Sequence, residues 1–153
     1  MGTMGNARFK TKNQAMQMAI HVWTCEHCGT QHKKKKPMVC QNCGVGAFYH
    51  FDSVGEANKF AELAMLQNAG KLSDLRLQVP FPIYFDVIGG MPVLTTQKRG
   101  KAHRTYYADF VYVDGEGHRV VLDYKGSTSN VTDVFKLKRK DVEILYGFKI
   151  VLV

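Results

Sequence analysis

The chain has 153 residues, 45% of them hydrophobic and 22% charged. That length and balance suit one compact core with a small insert and exclude a chain disordered throughout. Lysine and arginine outnumber aspartate and glutamate by 21 to 13, giving a net charge of +8, so a polyanion is the partner to suspect.

No apolar run reaches the roughly 18 residues of a membrane span, and the chain opens without the hydrophobic stretch of a signal peptide. The expectation is an intracellular protein with no membrane partner. Residues 1–20 read as a basic, Met-rich arm carrying Arg8, Lys10 and Lys12, with a helix expected over Asn13 to Ile20. Residues 21–50 hold the only cysteines, Cys25, Cys28, Cys40 and Cys43, as two C-x-x-C-G knuckles. Two knuckles bring four thiolates to one ion, while Gly29 and Gly44 give each turn its backbone freedom. Structural zinc in a ribbon is expected; disulfides or a redox pair would suit neither the compartment nor the matched spacing. The cysteines complete the site, so His27, His32 and His50 are assigned no metal role. Between the knuckles, Lys33, Lys34, Lys35 and Lys36 form a tip that reads either as a DNA-gripping finger or as a solvated loop.

Residues 51–153 read as the main core. Ser53-Val54-Gly55-Glu56 has capping-box form and opens a helix running to Gly70. Arg76 to Phe81 and Ile83 to Ile88 read as extended, with Pro80 and Pro82 arguing against a central strand. Thr105 to Val113 and His118 to Lys125 form a hairpin. Val131 to Tyr146, carrying Lys136, Lys138, Arg139 and Lys140, reads as a helix stopped by Gly147. Phe148 to Val153 then returns through this helical crossover as a parallel strand. The order predicts an α+β fold with a mixed sheet.

Asp123-Tyr124-Lys125 places a carboxylate and an ammonium on one face of a strand, since side chains alternate with period two. A carboxylate can hold Mg²⁺, and the lysine can stabilise a pentacovalent phosphorane or orient water. Asp109 lies in the middle of a β-like run, where a bound cation or a buried hydrogen bond would keep it. Glu56 borders the buried face of its helix and reads equally as a capping residue or a site residue. Asp109 and Asp123 share a face only if the hairpin has a bulge or an odd-membered loop, which Gly115 and Gly117 would permit. With Val113 opposite His118 they would face opposite ways, so the bulge or odd loop is predicted, with both carboxylates, the Lys125 ammonium and Glu56 converging on one pocket.

On these residues the chain resembles the PD-(D/E)XK nuclease superfamily, specifically small phage-associated endonucleases in the style of Holliday-junction resolvases. The resemblance covers roughly Phe51 to Val153. Phe51-Asp-Ser-Val-Gly-Glu-Ala-Asn-Lys-Phe looks like the first-helix motif, Leu75 to Pro80 like a Leu-x-Leu-Gln segment, and Tyr107-Ala-Asp-Phe like the metal-aspartate strand. Asp123-Tyr-Lys-Gly126 looks like the D-x-K-G signature, followed by a lysine-rich helix. Ala108 stands where the superfamily name has proline, and Asp123 where glutamate is more frequent; neither change removes a ligand.

The resemblance implies a restriction-endonuclease-like α-β-β-β-α-β core into which the ribbon is inserted. It implies Glu56, Asp109 and Asp123 as ligands of Mg²⁺ or Mn²⁺, Lys125 as the catalytic lysine and Gln78 as a lining residue. Lys33 to Lys36, Gln78, Lys136 and Lys138 are the candidate DNA contacts. The implied function is a metal-dependent DNA endonuclease selective for junctions or branched DNA, acting as a homodimer. A nickase or exonuclease on ordinary DNA and a non-catalytic zinc-ribbon DNA-binding protein are the competing readings.

Overall fold

The computed structural model describes residues 21–127 and 131–153; the basic arm and its expected helix lie outside them. The chain divides into two compact units, one running to Ala57 and the other from Asn58 to Val153. Among the described residues no helix is long and apolar enough to cross a membrane.

The first unit is a three-stranded antiparallel sheet of β1 (Val22–Cys25), β2 (Gln31–Lys33) and β3 (Phe48–Phe51), in the order β2-β1-β3. Because Phe51 pairs with the buried Val22, this unit extends past the expected limit at residue 50. The head of α1 (Val54–Asn68) follows. Its capping box forms: Ser53 Oγ accepts from the Glu56 amide at 3.1 Å, and Glu56 Oε2 accepts from the Asp52 amide at 3.3 Å.

The second unit is built on a five-stranded mixed sheet in the order β5-β4-β6-β7-β8. Its strands are β4 (Leu72–Ile88), β5 (Met91–Thr95), β6 (Arg104–Asp114), β7 (Arg119–Asp123) and β8 (Ile150–Leu152). β8 runs parallel to β7, and α2 (Asp133–Tyr146) is the crossover between them. The mixed α+β class and the parallel last strand are as the sequence reading has them. The core cluster of Phe81, Ile83, Tyr106, Ala108, Val111, Val121, Val142 and Ile150 lies under α2. Burying each aliphatic side chain there contributes roughly 1.5–3 kcal/mol. Phe110 and Leu122, paired across the hairpin and buried, point to the other face. The charges of Lys59 and Glu62 in α1 act on Tyr112 from that side.

Two readings are corrected. The two extended segments are one strand of 17 residues, central in the sheet despite its prolines. Pro80 and Pro82 pair with Tyr107 and Thr105 of β6, whereas β5 joins only from Tyr84 onward. The prolines therefore occupy a stretch bonded on one side only, where a missing N–H costs no ladder bond. The Pro82 carbonyl instead accepts from the Tyr146 hydroxyl at 2.8 Å. Strand β5 was not foreseen, so four strands rather than three separate the helices. Gly89 and Gly90, both at positive φ, make the two-residue turn that pairs Ile88 with Met91.

Both ends of α2 are capped. Thr132 accepts from the Phe135 amide, and Gly147 closes the helix at φ 73 with its amide on the Glu143 carbonyl. Glu143 then ties helix to sheet: its carboxylate accepts from Arg139 and from the Ile150 amide, each at 2.9 Å, and from Lys149 at 3.3 Å. Burial works against its charge, but these three donors outweigh it and hold its pKa below the ordinary value.

A depressed carboxylate stabilises the fold above its unfolded-state pKa, and that stability is lost as pH falls through the folded-state value. Glu143→Gln is therefore expected to lower stability at neutral pH by about 1–3 kcal/mol. The gap to wild type should narrow below the ordinary carboxylate range. Urea titrations at neutral and acidic pH check both.

Candidate active site and metal centre

The hairpin joining β6 to β7 sets the geometry. Val113 pairs with Arg119 and Phe110 with Leu122, and the Asp114 amide donates to the His118 carbonyl at 2.9 Å. This leaves Gly115, Glu116 and Gly117 as an odd-membered loop, with Gly117 at φ +87, a conformation that a side chain disfavours. Continued by one step, the register opposes Asp109 to Asp123, as the sequence reading predicted.

The two carboxylates are held differently. Asp109 Oδ2 accepts from the Tyr124 amide at 2.8 Å and Oδ1 from the Gln78 side-chain amide at 2.9 Å. Asp123 is 2% exposed. Its Oδ2 accepts from the Tyr106 hydroxyl at 2.6 Å, while Oδ1 is ion-paired with Lys125 Nζ and otherwise lacks a hydrogen-bond partner. Lys125 Nζ also lies 4.2 Å from the centre of the Phe135 ring. Burial first, and then the charge of Asp123, raise the pKa of Asp109. Burial and the bond to Asp123 push the Tyr106 phenol far up, so it stays a donor. The charge of Asp123 thus acts on Asp109, and one buried oxygen of Asp123 is served only by a lysine.

Tyr106 was missed, and the reason is local. Strict alternation puts it on the opposite face from Asp109, yet Tyr106, Ala108, Val111 and Val121 share one cluster. The pleat breaks at Asp109, and across from it Gln78 has φ 48, a strained conformation for a side chain of its kind. Gln78, implied by resemblance alone, thus bonds the site directly. Beside Lys125, a groove is lined by Gly126, Ser127, Val131, Leu152 and Val153.

Glu56 carries the capping contacts of α1. Lys136 pairs with Asp133 at 2.9 Å, and Lys138 is half-buried on α2. Lys33 to Lys36 are exposed, with Lys36 Nζ 5.5 Å from the centre of the Trp23 ring.

In the first unit the four cysteine sulfurs lie within 4.8 Å of one another. Cys25 and Cys43 sulfurs are 3.5 Å apart, and those of Cys28 and Cys40 are 3.6 Å apart. Tetrahedral zinc with Zn–S near 2.3 Å needs about 3.8 Å between sulfurs. Each knuckle turns through its glycine: the Gly29 amide reaches the Cys25 carbonyl at 2.9 Å and the Gly44 amide reaches that of Cys40 at 2.8 Å. Four thiols this close cannot all ionise without a cation among them. Although the Val45 amide favours the Cys43 thiolate, burial and the sulfurs of Cys28, Cys25 and Cys40 push it up to about 12. Cys40 falls to about 5 despite its burial, because His32 and the backbone at Asn42 and Cys43 donate to it. The cluster can hold a metal ion such as zinc, with no position left for substrate.

No curated protein and no solved structure matches the chain. A family described as "Protein of unknown function (DUF1064)" matches residues 45–150, which takes in Asp109, Asp123 and Lys125 and begins after the last cysteine. By that match the chain belongs to the DUF1064 family.

Proposed function

We propose that the chain is a divalent-metal-dependent endonuclease that hydrolyses DNA phosphodiesters at junctions or branched structures, with Asp109, Asp123 and Lys125 as its reacting centre. The observation that carries this reading is the odd-membered loop that opposes the two aspartates. The capping contacts account for Glu56, so the proposal rests on the other three residues. Asp109 and Asp123 would hold Mg²⁺ or Mn²⁺, which supplies Lewis-acid stabilisation of charge at the scissile phosphate. Gln78 and the Tyr124 amide fix one carboxylate, and Tyr106 fixes the other. Lys125, displaced from Asp123 by the incoming cation, would present its ammonium to the phosphorane oxygens.

Zinc on Cys25, Cys28, Cys40 and Cys43 folds the ribbon, and its lysine tip together with Lys136 and Lys138 supplies phosphate contacts. As a homodimer, the chain would place a second copy on the exposed Phe85, Val87, Ile88, Met91 and Val93 of the β4–β5 hairpin.

The test is incubation with four-way junction, flap, duplex and single-stranded DNA, in Mg²⁺ and in EDTA. Preferential Mg²⁺-dependent cutting of the branched substrates is expected. Cutting of plain duplex alone would favour the nickase or exonuclease reading, and no cutting of any substrate would contradict the proposal. Replacing Lys33 to Lys36 with serine should weaken binding and reduce the log–log salt slope by about 3 to 4, if each lysine meets one phosphate. An unchanged slope would make the tip a solvated loop.

A further inference from the structure

We propose a second metal site on the ribbon, formed by His21, His50 and Asp52 and taking a divalent transition ion of zinc's class. The register of β1 and β3 makes it. Trp23 lies opposite His50 and Val22 opposite Phe51, so one further step opposes His21 to Asp52. Directly opposed residues share a face, and so do residues two apart on a strand. Both histidines and the aspartate therefore project from one face, while Val22 and Phe51 are buried on the other.

The donor atoms converge. His21 Nδ1 is 3.0 Å from His50 Nε2, and Asp52 Oδ1 is 3.7 Å from the first and 3.9 Å from the second. A point equidistant from these three atoms lies about 2.1 Å from each, which is the distance zinc takes from imidazole nitrogen and carboxylate oxygen. The pieces are supported: His50 packs on Trp23 with ring centres 4.4 Å apart, and the Lys34 amide holds the His21 carbonyl at 3.0 Å. Two imidazoles sharing a hydrogen bond would explain the first distance alone. They would not explain a carboxylate oxygen placed to close the triangle.

Unlike the four-cysteine cluster, this set is exposed, with side-chain exposures of 50% for His21, 37% for His50 and 76% for Asp52. Three protein ligands facing solvent leave a coordination position for water or an anionic group. Imidazole and carboxylate select a borderline ion over Mg²⁺, so this ion is distinct from the one proposed for Asp109 and Asp123. The site stands independently of the nuclease reading.

The experiment is zinc titration of the full chain, freed of any histidine tag, against a chromophoric chelator, with elemental analysis after desalting. Wild type is expected to bind about two zinc ions per chain. His50→Ala should bind one, with the four-cysteine ion and the far-ultraviolet circular dichroism kept. Asp52→Asn should weaken the second ion about tenfold or more. Should His50→Ala fail to fold, His21→Ala, which lies outside the strands, serves in its place. A wild type that binds a single zinc, or a folded histidine variant that keeps the second, would overturn the site.

Discussion

Cys40→Ser is expected to release the four-thiolate ion and unfold the ribbon strands, because a knuckle with one thiolate missing no longer closes the tetrahedron. Apparent binding energies of structural zinc run to about 10–16 kcal/mol in small domains, as large as the whole stability of many folded proteins. The first unit has few other means of holding together: Val22, Thr24, Cys25, Cys40, Phe51 and Ala57 are its only buried residues among those described. Hydrogen exchange should lose protection over residues 22–51 while the strands from Leu72 onward keep theirs, since those have their own core. Elemental analysis should show the four-thiolate zinc gone, and with it the ion proposed for His21, His50 and Asp52, whose convergence rests on the pairing of β1 with β3. A variant that keeps both the ion and the protection would remove the ribbon assignment.

Lys125→Met should have the second large effect, and it separates a metal site from a structural ion pair. Removing one partner of a buried pair leaves an uncompensated charge and costs about 3 kcal/mol or more; here the stranded group would be Asp123, which is 2% exposed. If Asp109 and Asp123 hold a divalent cation, millimolar Mg²⁺ replaces the lost lysine charge and restores much of the melting temperature. The same variant should still fall roughly a hundredfold or more in cleavage rate, because its missing ammonium no longer meets the transition-state charge. A variant destabilised equally with and without Mg²⁺ would mark the pair as structural.

The opposition of Asp109 and Asp123 was legible because period-two alternation and loop parity are sequence properties. Gly115 and Gly117 permit the odd loop, and the demand that Asp109 and Asp123 share a face then fixes the register. The cysteine spacing was equally plain, since four ligands with none left over admit one assignment. What escaped depended on backbone conformation that residue type does not declare. Nothing about Gln78 announces φ 48, and without that break Tyr106 belongs on the wrong face. The prolines in β4 misled because sequence cannot say where a neighbouring strand stops. Strand β5 was readable from Gly89-Gly90 and was overlooked. His50 was set aside once the cysteines completed their own site, and His21 and Asp52 carry no signal until β1 and β3 are paired.

Asp109, Asp123 and Lys125 are proposed as the centre of a metal-dependent phosphodiesterase. The most direct test is cleavage of a four-way junction by wild type and Asp123→Asn side by side, in Mg²⁺ and in EDTA, with binding measured on the same DNA. Asparagine keeps the shape and the acceptor for Tyr106 but removes the ligand charge, so folding and DNA affinity should persist. Wild type is expected to cut in Mg²⁺ alone, and the variant to lose at least about a hundredfold, since a metal's several kcal/mol of stabilisation exceeds the roughly 1.4 kcal/mol per decade of rate. Cleavage that survives EDTA, or an Asp123→Asn protein that cuts as fast as wild type, would contradict that proposal.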